Sequence, residues 1–313
     1  MQLDAFSAAL LRPPLHSLTN AYKQANVSSA ALVFVNTYAT ENQDRQNLTV
    51  WGNGEELIKA VASQNNNTIV VIHAPGPVLV EEFADHPNVT AILHAYLPGQ
   101  ESGNSLIPVL WGEKSPSGKL PFVMGKKATD WPDTISSAPV LDPQADFSER
   151  LLIDYKWFQA KKITPRYPFG HGLTYSDFDI SGFAVRSEFK ADDTSIIQTR
   201  ERCEGWEEGQ SFYDQTHLAT ATVTNNGTAK AAEVAQLYLT FPEAENEPPY
   251  LLRGFEKVWL EPGASADVTF SIRRKDVMVF DEEMDAWRKP KGDIKLSIGC
   301  SSERFFASTT ISP

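Results

Sequence analysis

The sequence predicts an α/β domain followed by an all-β domain, and three observations carry that prediction. Apolar, β-branched runs alternate with helical periodicity across residues 30–125. Short alternating runs separated by Asn-Gly and Pro-Gly turns occupy residues 175–313. Between them, residues 126–174 have little periodicity, many Pro and Asp, and several aromatics, so this stretch reads as an ordered aromatic linker pinned to a surface. Ahead of all three lies an N-terminal remnant, residues 1–29, in which Leu15 to Ala25 has the spacing of a helix.

The first domain is organised around residues 31–51. Ala31 to Val35, ended by Asn36, reads as a buried strand of a parallel sheet. A polar loop with Glu41, Asp44 and Arg45 follows, and Leu57, Ile58 and Val61 then recur at helical spacing from about Gly54. This is the first βα unit of a mostly parallel sheet, with helices expected on both faces. In such sheets the chemistry sits on loops at the carboxyl ends of strands, which is where Glu41 falls. Thr68 to His73 and Val89 to Leu93 are further buried strands, with a short helix near Val80 to Phe83 between them. The periodicity predicts a helix from about Glu101 to Trp111 and a short strand over Lys119 to Val123.

In the second domain, strands are predicted at His217 to Thr224, Glu233 to Thr240, Leu251 to Leu260, Ala266 to Ile272, Asp293 to Gly299 and Phe305 to Ile311. Both His217 to Thr224 and Glu233 to Thr240 read as alternating. Residues 186–216, acidic and turn-rich, read as an insertion holding Cys203.

Composition narrows the functional classes. The chain is 42% hydrophobic and 22% charged, the balance of an ordinary soluble globular protein. A net charge of -12 argues against nucleic acid and anionic membrane partners, both of which reward clustered Lys and Arg. No apolar run approaches the roughly 20 residues of a membrane span. Five N-x-[ST] sequons, at Asn26, Asn47, Asn66, Asn88 and Asn226, favour a secretory ancestry, although no signal peptide leads the chain. The two cysteines, Cys203 and Cys300, are too few for a zinc site and could pair with each other in an oxidising compartment. No cofactor motif is present. The Gly99 to Ser105 run lacks the Gly-Lys-Ser/Thr ending of a phosphate loop and reads as a turn into a helix.

Taken together, ALVFVN with Glu41 and the Asp44-Arg45 pair after it, NNTIVVIHAPGPVLVEEFADHPNVTAIL, LPGQESGNSL, VLWGEKSPSGKLPF, FSERLLIDYKWF and TPRYPFGHGLTYSDF resemble the C-terminal half of fungal glycoside hydrolase family 3 enzymes, chiefly β-glucosidases. VAQLYLTFP and LRGFEKVWLEPG are similar to the fibronectin type III-like domain that ends those enzymes. The resemblance implies an α/β sandwich domain of the family 3 C-terminal type over 30–125 and a fibronectin type III-like domain over 175–313. It implies retaining hydrolysis of terminal β-D-glucosyl residues, with a β-glucoside or oligosaccharide as the small-molecule ligand and secretion as the localisation.

By the same resemblance Glu41 occupies the acid/base position, although Asn42 stands where the family carries Gly. Asp44 and Arg45 either pair to order the loop or contact a sugar hydroxyl. The nucleophilic aspartate is expected to be absent, because the family places it in a barrel of roughly 200 residues and residues 1–29 are too few to form one. The chain then works with a barrel-domain partner, is a truncated product, or serves as a non-catalytic carbohydrate-binding or protein-interaction module. Thr129-Asp130-Trp131 imitates the nucleophile motif but lies in the linker. His73 and His94 end neighbouring strands and are expected to pack or hydrogen-bond there. Tyr155, Trp157 and Phe158 either stack on sugars or pack against the α/β domain.

Overall fold

A computed structural model describes residues 16–41, 45–132, 144, 146–190 and 211–312. It divides into two compact units: the residues up to Pro108 with Met124–Trp131, and Val109–Val123 with the residues from Pro132 onward. The units are thus interleaved where the sequence reading drew consecutive blocks.

The first unit opens with helix α1, His16–Val27, and then strand β1, Ala31–Asn36. Helix α2, Gly54–Ala62, buries Leu57, Ile58, Val61 and Ala62 and packs on β1 and α1. Each large apolar side chain so buried contributes roughly 1.5–3 kcal/mol. Strand β2, Thr68–His73, is central, helix α3 is Glu81–Ala84, and strand β3 is Val89–His94. The three strands form a parallel sheet in the order β1-β2-β3. Val70, Val71 and Ile72 of β2 are fully buried, as expected for a strand covered on both faces.

Two elements of the α/β region differ from expectation. In place of a helix over residues 101–111 there is a single 3-10 turn at Gly99–Glu101, and the helix α4 spans only Ile107–Leu110. Pro108 lacks an N–H and is tolerated only in a first helical turn, while Gly112, at φ 74°, ends the element. Lys119 to Val123 is not a strand. Pro121 lies within it, and only Leu120 pairs, donating to the His171 carbonyl and accepting from the Gly170 N–H, each at 2.8 Å.

The second unit begins its regular structure with helix α5, Tyr155–Ala160, followed by strands β4, Phe178–Lys190, and β5, Gln215–Asn225. Strands β6, Ala231–Thr240, β7, Leu251–Leu260, and β8, Ser265–Arg273, come next. A small hairpin of β9, Val279–Asp281, and β10, Ala286–Arg288, precedes β11, Ile294–Ser301, and β12, Arg304–Ile311. The antiparallel sheets β12-β11-β6-β7 and β4-β5-β8 enclose one core of Ala219, Val223, Leu237, Leu239, Phe270 and Leu296 among others. The insertion read over 186–216 is narrower than expected, since Arg186–Lys190 continue β4 and Gln215 starts β5. Cys203 lies outside the described residues.

Strand β5 alternates as predicted, with His217, Ala219, Ala221 and Val223 inward. Strand β6 does not: it is buried on both faces from Ala231 to Leu239. Ala235, Leu237 and Leu239 point into the sandwich. The opposite face carries Gln236, which donates to the carbonyls of Gly170 and Cys300, and Tyr238, whose ring meets Tyr155 edge-on at 6.3 Å. The aromatic linker therefore forms a third layer over this sheet. Tyr155 stacks on Phe169 at 4.6 Å and its hydroxyl accepts the Leu252 N–H, so Tyr155 packs on the sandwich. Phe158 is 1% exposed.

Candidate functional site

The carboxyl ends of β1 and β2 hold the polar groups that the sheet leaves over. Beyond Asn36, the Thr37 N–H donates to the His73 carbonyl at 3.1 Å, extending the pairing by one residue. Glu41 follows in a turn, with its side chain exposed. Asp44 lies outside the described residues, and with it the Asp44–Arg45 pairing. Arg45 turns inward instead, and its Nη2 donates to the Pro77 carbonyl at 3.1 Å.

From Arg45 the chain loops back to the sheet. Thr49 donates to the Asn47 carboxamide through both its N–H, at 3.1 Å, and its hydroxyl, at 2.7 Å, closing an Asx turn. The Trp51 N–H then donates to the Asn36 carbonyl at 2.8 Å. Gly52 and Asn53 both take left-handed angles, and α2 begins at Gly54. Only glycine fits at position 54, where a Cβ would sit 2.9 Å from the Val50 side chain and 3.0 Å from that of Val35. Because of that close approach, the first turn of α2 stands beside the end of β1.

Between the returning loop, the end of β1 and the first turn of α2 is a cavity of about 750 Å³, within the size range of small-molecule sites. Thr37 and Arg45 line it together with Tyr38, Trp51, Glu55 and Glu56. Thr37 is 7% exposed, and neither its Oγ1 nor Arg45 Nη1 has a hydrogen-bond partner among the described residues. Tyr38 and Trp51 are about half exposed, with ring centroids 5.9 Å apart and planes tilted by 38°. Burial lowers the Arg45 guanidinium from its ordinary value. Burial, and next the charge of Glu82, raises the Glu55 carboxyl, against the opposing pull of Lys59.

Glu41 does not line this cavity. Its two carboxylates, Glu55 and Glu56, are consecutive on one helical turn, so they point about 100° apart from one wall. Retaining glycoside hydrolysis needs two carboxyl groups facing each other across the scissile bond, about 5–5.5 Å apart. Thr37, Tyr38, Trp51 and Glu55 escaped sequence reasoning, because only the return of Trp51 to Asn36 brings them together.

The histidines behave as edge groups. His94 Nε2 lies 3.2 Å from the Gly76 carbonyl and its ring packs on Tyr96 at 4.5 Å, while His73 stacks near Phe34 at 6.5 Å. Burial pushes both imidazoles below their ordinary value, which favours the neutral form. Asp130 of the nucleophile-like triplet is 5% exposed and accepts the N–H groups of Lys126 and Lys127, at 2.8 and 3.1 Å. It holds a turn. Cys300 is buried and unbridged among the described residues, and Cys203, with which it could pair, is outside them. Among the described residues, no group of three His, Cys, Asp or Glu is arranged to hold a metal ion. No helix among them is long and apolar enough to cross a membrane.

Comparison with known proteins agrees with this architecture. Residues 6–175 match the glycosyl hydrolase family 3 C-terminal domain, and residues 233–302 match a fibronectin type III-like domain. A probable beta-glucosidase G of Emericella nidulans is 43% identical over 295 residues, covering 91% of this chain and 35% of that protein. The crystal structure of a beta-D-glucoside glucohydrolase from Trichoderma reesei superposes with a TM-score of 0.82 at 37% identity, covering 94% of this chain and 41% of that one. A family 3 beta-glucosidase from Neurospora crassa gives 0.83 at 28% identity, covering 95% and 45%. The chain thus spans little more than a third of the length of the curated relatives it matches. With more than half of its residues matched by the family's own domain, and the β-sandwich in the expected place behind it, the chain belongs to glycosyl hydrolase family 3.

Proposed function

We propose that this chain is the acid/base-bearing portion of a retaining β-glucosidase and that it does not turn over β-glucosides by itself. The observation that carries the reading is the placement of Glu41: exposed, in the turn beyond the carboxyl end of β1, and outside the cavity lining. A carboxylate in that position faces outward, toward chemistry completed by another domain. In the retaining reaction Glu41 would protonate the departing glycosidic oxygen and then take a proton from the incoming water. The attacking carboxylate and most of the sugar pocket would come from a barrel domain. Without them the chain lacks the groups whose interaction strengthens in the transition state.

The test is release of the aryl group from an aryl β-glucoside by the purified chain, beside Glu41→Ala. Neither protein is expected to release it above the blank. Release by the chain alone that disappears in Glu41→Ala would refute the reading. Mixing with a separately produced barrel domain should restore release, and that release should depend on Glu41.

A further inference from the structure

Two sequons that are far apart in the chain, at Asn26 and Asn66, meet on one surface of the first unit. We infer that they form a paired N-glycosylation site whose two glycans cover the apolar side chains of Tyr22 and Val27. The inference does not rest on Glu41 or on turnover. The pair lies at the amino ends of β1 and β2, whereas Glu41 lies beyond the carboxyl end of β1, a strand of six residues and so about 20 Å long.

Asn65 brings the two sequons together. It is 4% exposed, and its Nδ2 donates to the carbonyls of Ala25 at 2.9 Å and Ser28 at 2.7 Å. Its Oδ1 accepts the Asn67 N–H at 2.8 Å, and the Ala31 N–H donates to the Asn67 carbonyl at 3.0 Å. The end of α1 and the turn ahead of β2 are thereby stapled side by side, with Asn26 and Asn66 exposed on them. Neither of these two carboxamides has a hydrogen bond among the described residues. Asn88, just ahead of β3, differs: its Nδ2 donates to the Ala62 carbonyl at 2.8 Å.

The surface beside the pair is apolar. Helix α1 buries Ala21 and Ala25, which leaves Tyr22 39% and Val27 77% exposed. Tyr22 and Asn26 are four residues apart on α1, so they share a face one turn from each other, and Val27 adjoins Asn26. The ring C–H groups of an N-acetylglucosamine form an apolar face that can lie on a tyrosine, with its hydroxyls toward water. A bulky, solubilising group is thus placed where apolar side chains would otherwise meet solvent.

Attachment is a group transfer from a lipid-linked oligosaccharyl diphosphate. The Asn Nδ2–C1 bond forms, the bond from C1 to the diphosphate oxygen breaks, the lipid diphosphate leaves, and the carboxamide nitrogen loses one proton.

The experiment is secretion of the full chain from yeast behind a cleavable signal, followed by peptide mapping and light scattering. Asn26 and Asn66 should each be modified in most molecules. Asn26→Gln combined with Asn66→Gln should self-associate several-fold more than the secreted parent. Adding Tyr22→Ser and Val27→Ser to that variant should return it to the parent's scattering. Asn226→Gln, at an exposed sequon of the sandwich, should scatter as the parent does. Enzymatic removal of the glycans from the folded parent should raise scattering as the double variant does, which keeps the test valid if that variant does not fold. The inference is overturned if either Asn26 or Asn66 is unmodified, or if removing both glycans leaves the scattering unchanged. It is also overturned if the two serines fail to restore it, or if Asn226→Gln raises it equally. None of these measurements reads hydrolysis, so this inference and the proposed function fail separately.

Discussion

Lys119 Nζ lies 2.6 Å from Glu233 Oε1, with side chains only 11% and 10% exposed. The same ammonium donates to the Gly172 carbonyl at 2.9 Å, and Glu233 Oε1 accepts the Val234 N–H at 2.7 Å. The pair joins residues 109–123 to the central strand of the sandwich and explains why that segment belongs to the second unit. A buried pair adds little net stability over an apolar substitute, but breaking it strands a charge. Lys119→Met should therefore lower the unfolding free energy by about 3 kcal/mol, measured from urea denaturation. Lys119→Met combined with Glu233→Leu should lose less than the single change. A double variant weaker than Lys119→Met would refute this account.

The hairpin end of the sandwich should depend on pH. Arg288 donates to Glu245 at 2.6 Å and to Asp281 at 2.9 Å. These bonds hold both carboxyls below their ordinary values. A carboxyl whose folded value is depressed stabilises the fold fully above its unfolded value, about 4, and loses that contribution as pH falls through the folded value. Arg288→Met should therefore be less stable than the parent at pH 7, and the gap should close as pH drops below about 4. Thermal melting of both proteins across pH 3–7 checks it.

Asn225 knots the turn between β5 and β6. It is fully buried, and its Nδ2 donates to the carbonyls of Ala229 and Leu260 at 2.9 and 3.0 Å. Its Oδ1 accepts the Gly227 N–H at 3.0 Å. Asn225→Leu strands these groups and should cost about 3 kcal/mol. Gly227→Ala should also destabilise, by about 1–3 kcal/mol, because a Cβ there meets Ser176 Oγ and lies 2.7 Å from the Asp177 nitrogen. Denaturant midpoints of the two variants measure both effects.

The five sequons are not equivalent in the fold. Asn26, Asn47, Asn66 and Asn226 are exposed. Asn88 is half-buried, and its Nδ2, the atom a glycan would occupy, donates to the Ala62 carbonyl at 2.8 Å. When the chain is expressed through a glycosylating secretory pathway, the folded product should carry Asn88 unmodified. Peptide mapping by mass spectrometry decides it, and full occupancy at Asn88 would contradict the expectation.

Much of the fold was legible because single residues state their environment. TIVVIH reads as a strand buried on both faces, and it is; HLATATVT alternates, with one face buried and the other partly exposed. Pro108 and Pro121 were equally visible, yet the helix and strand predicted around them failed. In both places the missing proline N–H outweighs the apolar spacing. The candidate site was legible only in part. Glu41 and Arg45 stand out as polar residues after a strand, but the Tyr38–Trp51 wall is not visible as a wall.

The sequence by itself determined the family, the order of an α/β domain before a β-sandwich, and the strand that ends at Asn36, since these depend on local periodicity and on motifs read along the chain. Only the tertiary structure decided that the aromatic linker covers β6, that residues 109–123 belong with the sandwich, and that Thr37, Arg45 and Trp51 share one cavity while Glu41 does not. Those outcomes rest on contacts between residues distant in the chain, such as Lys119 with Glu233 and Trp51 with Asn36. A sequence lists such partners without saying which of them meet.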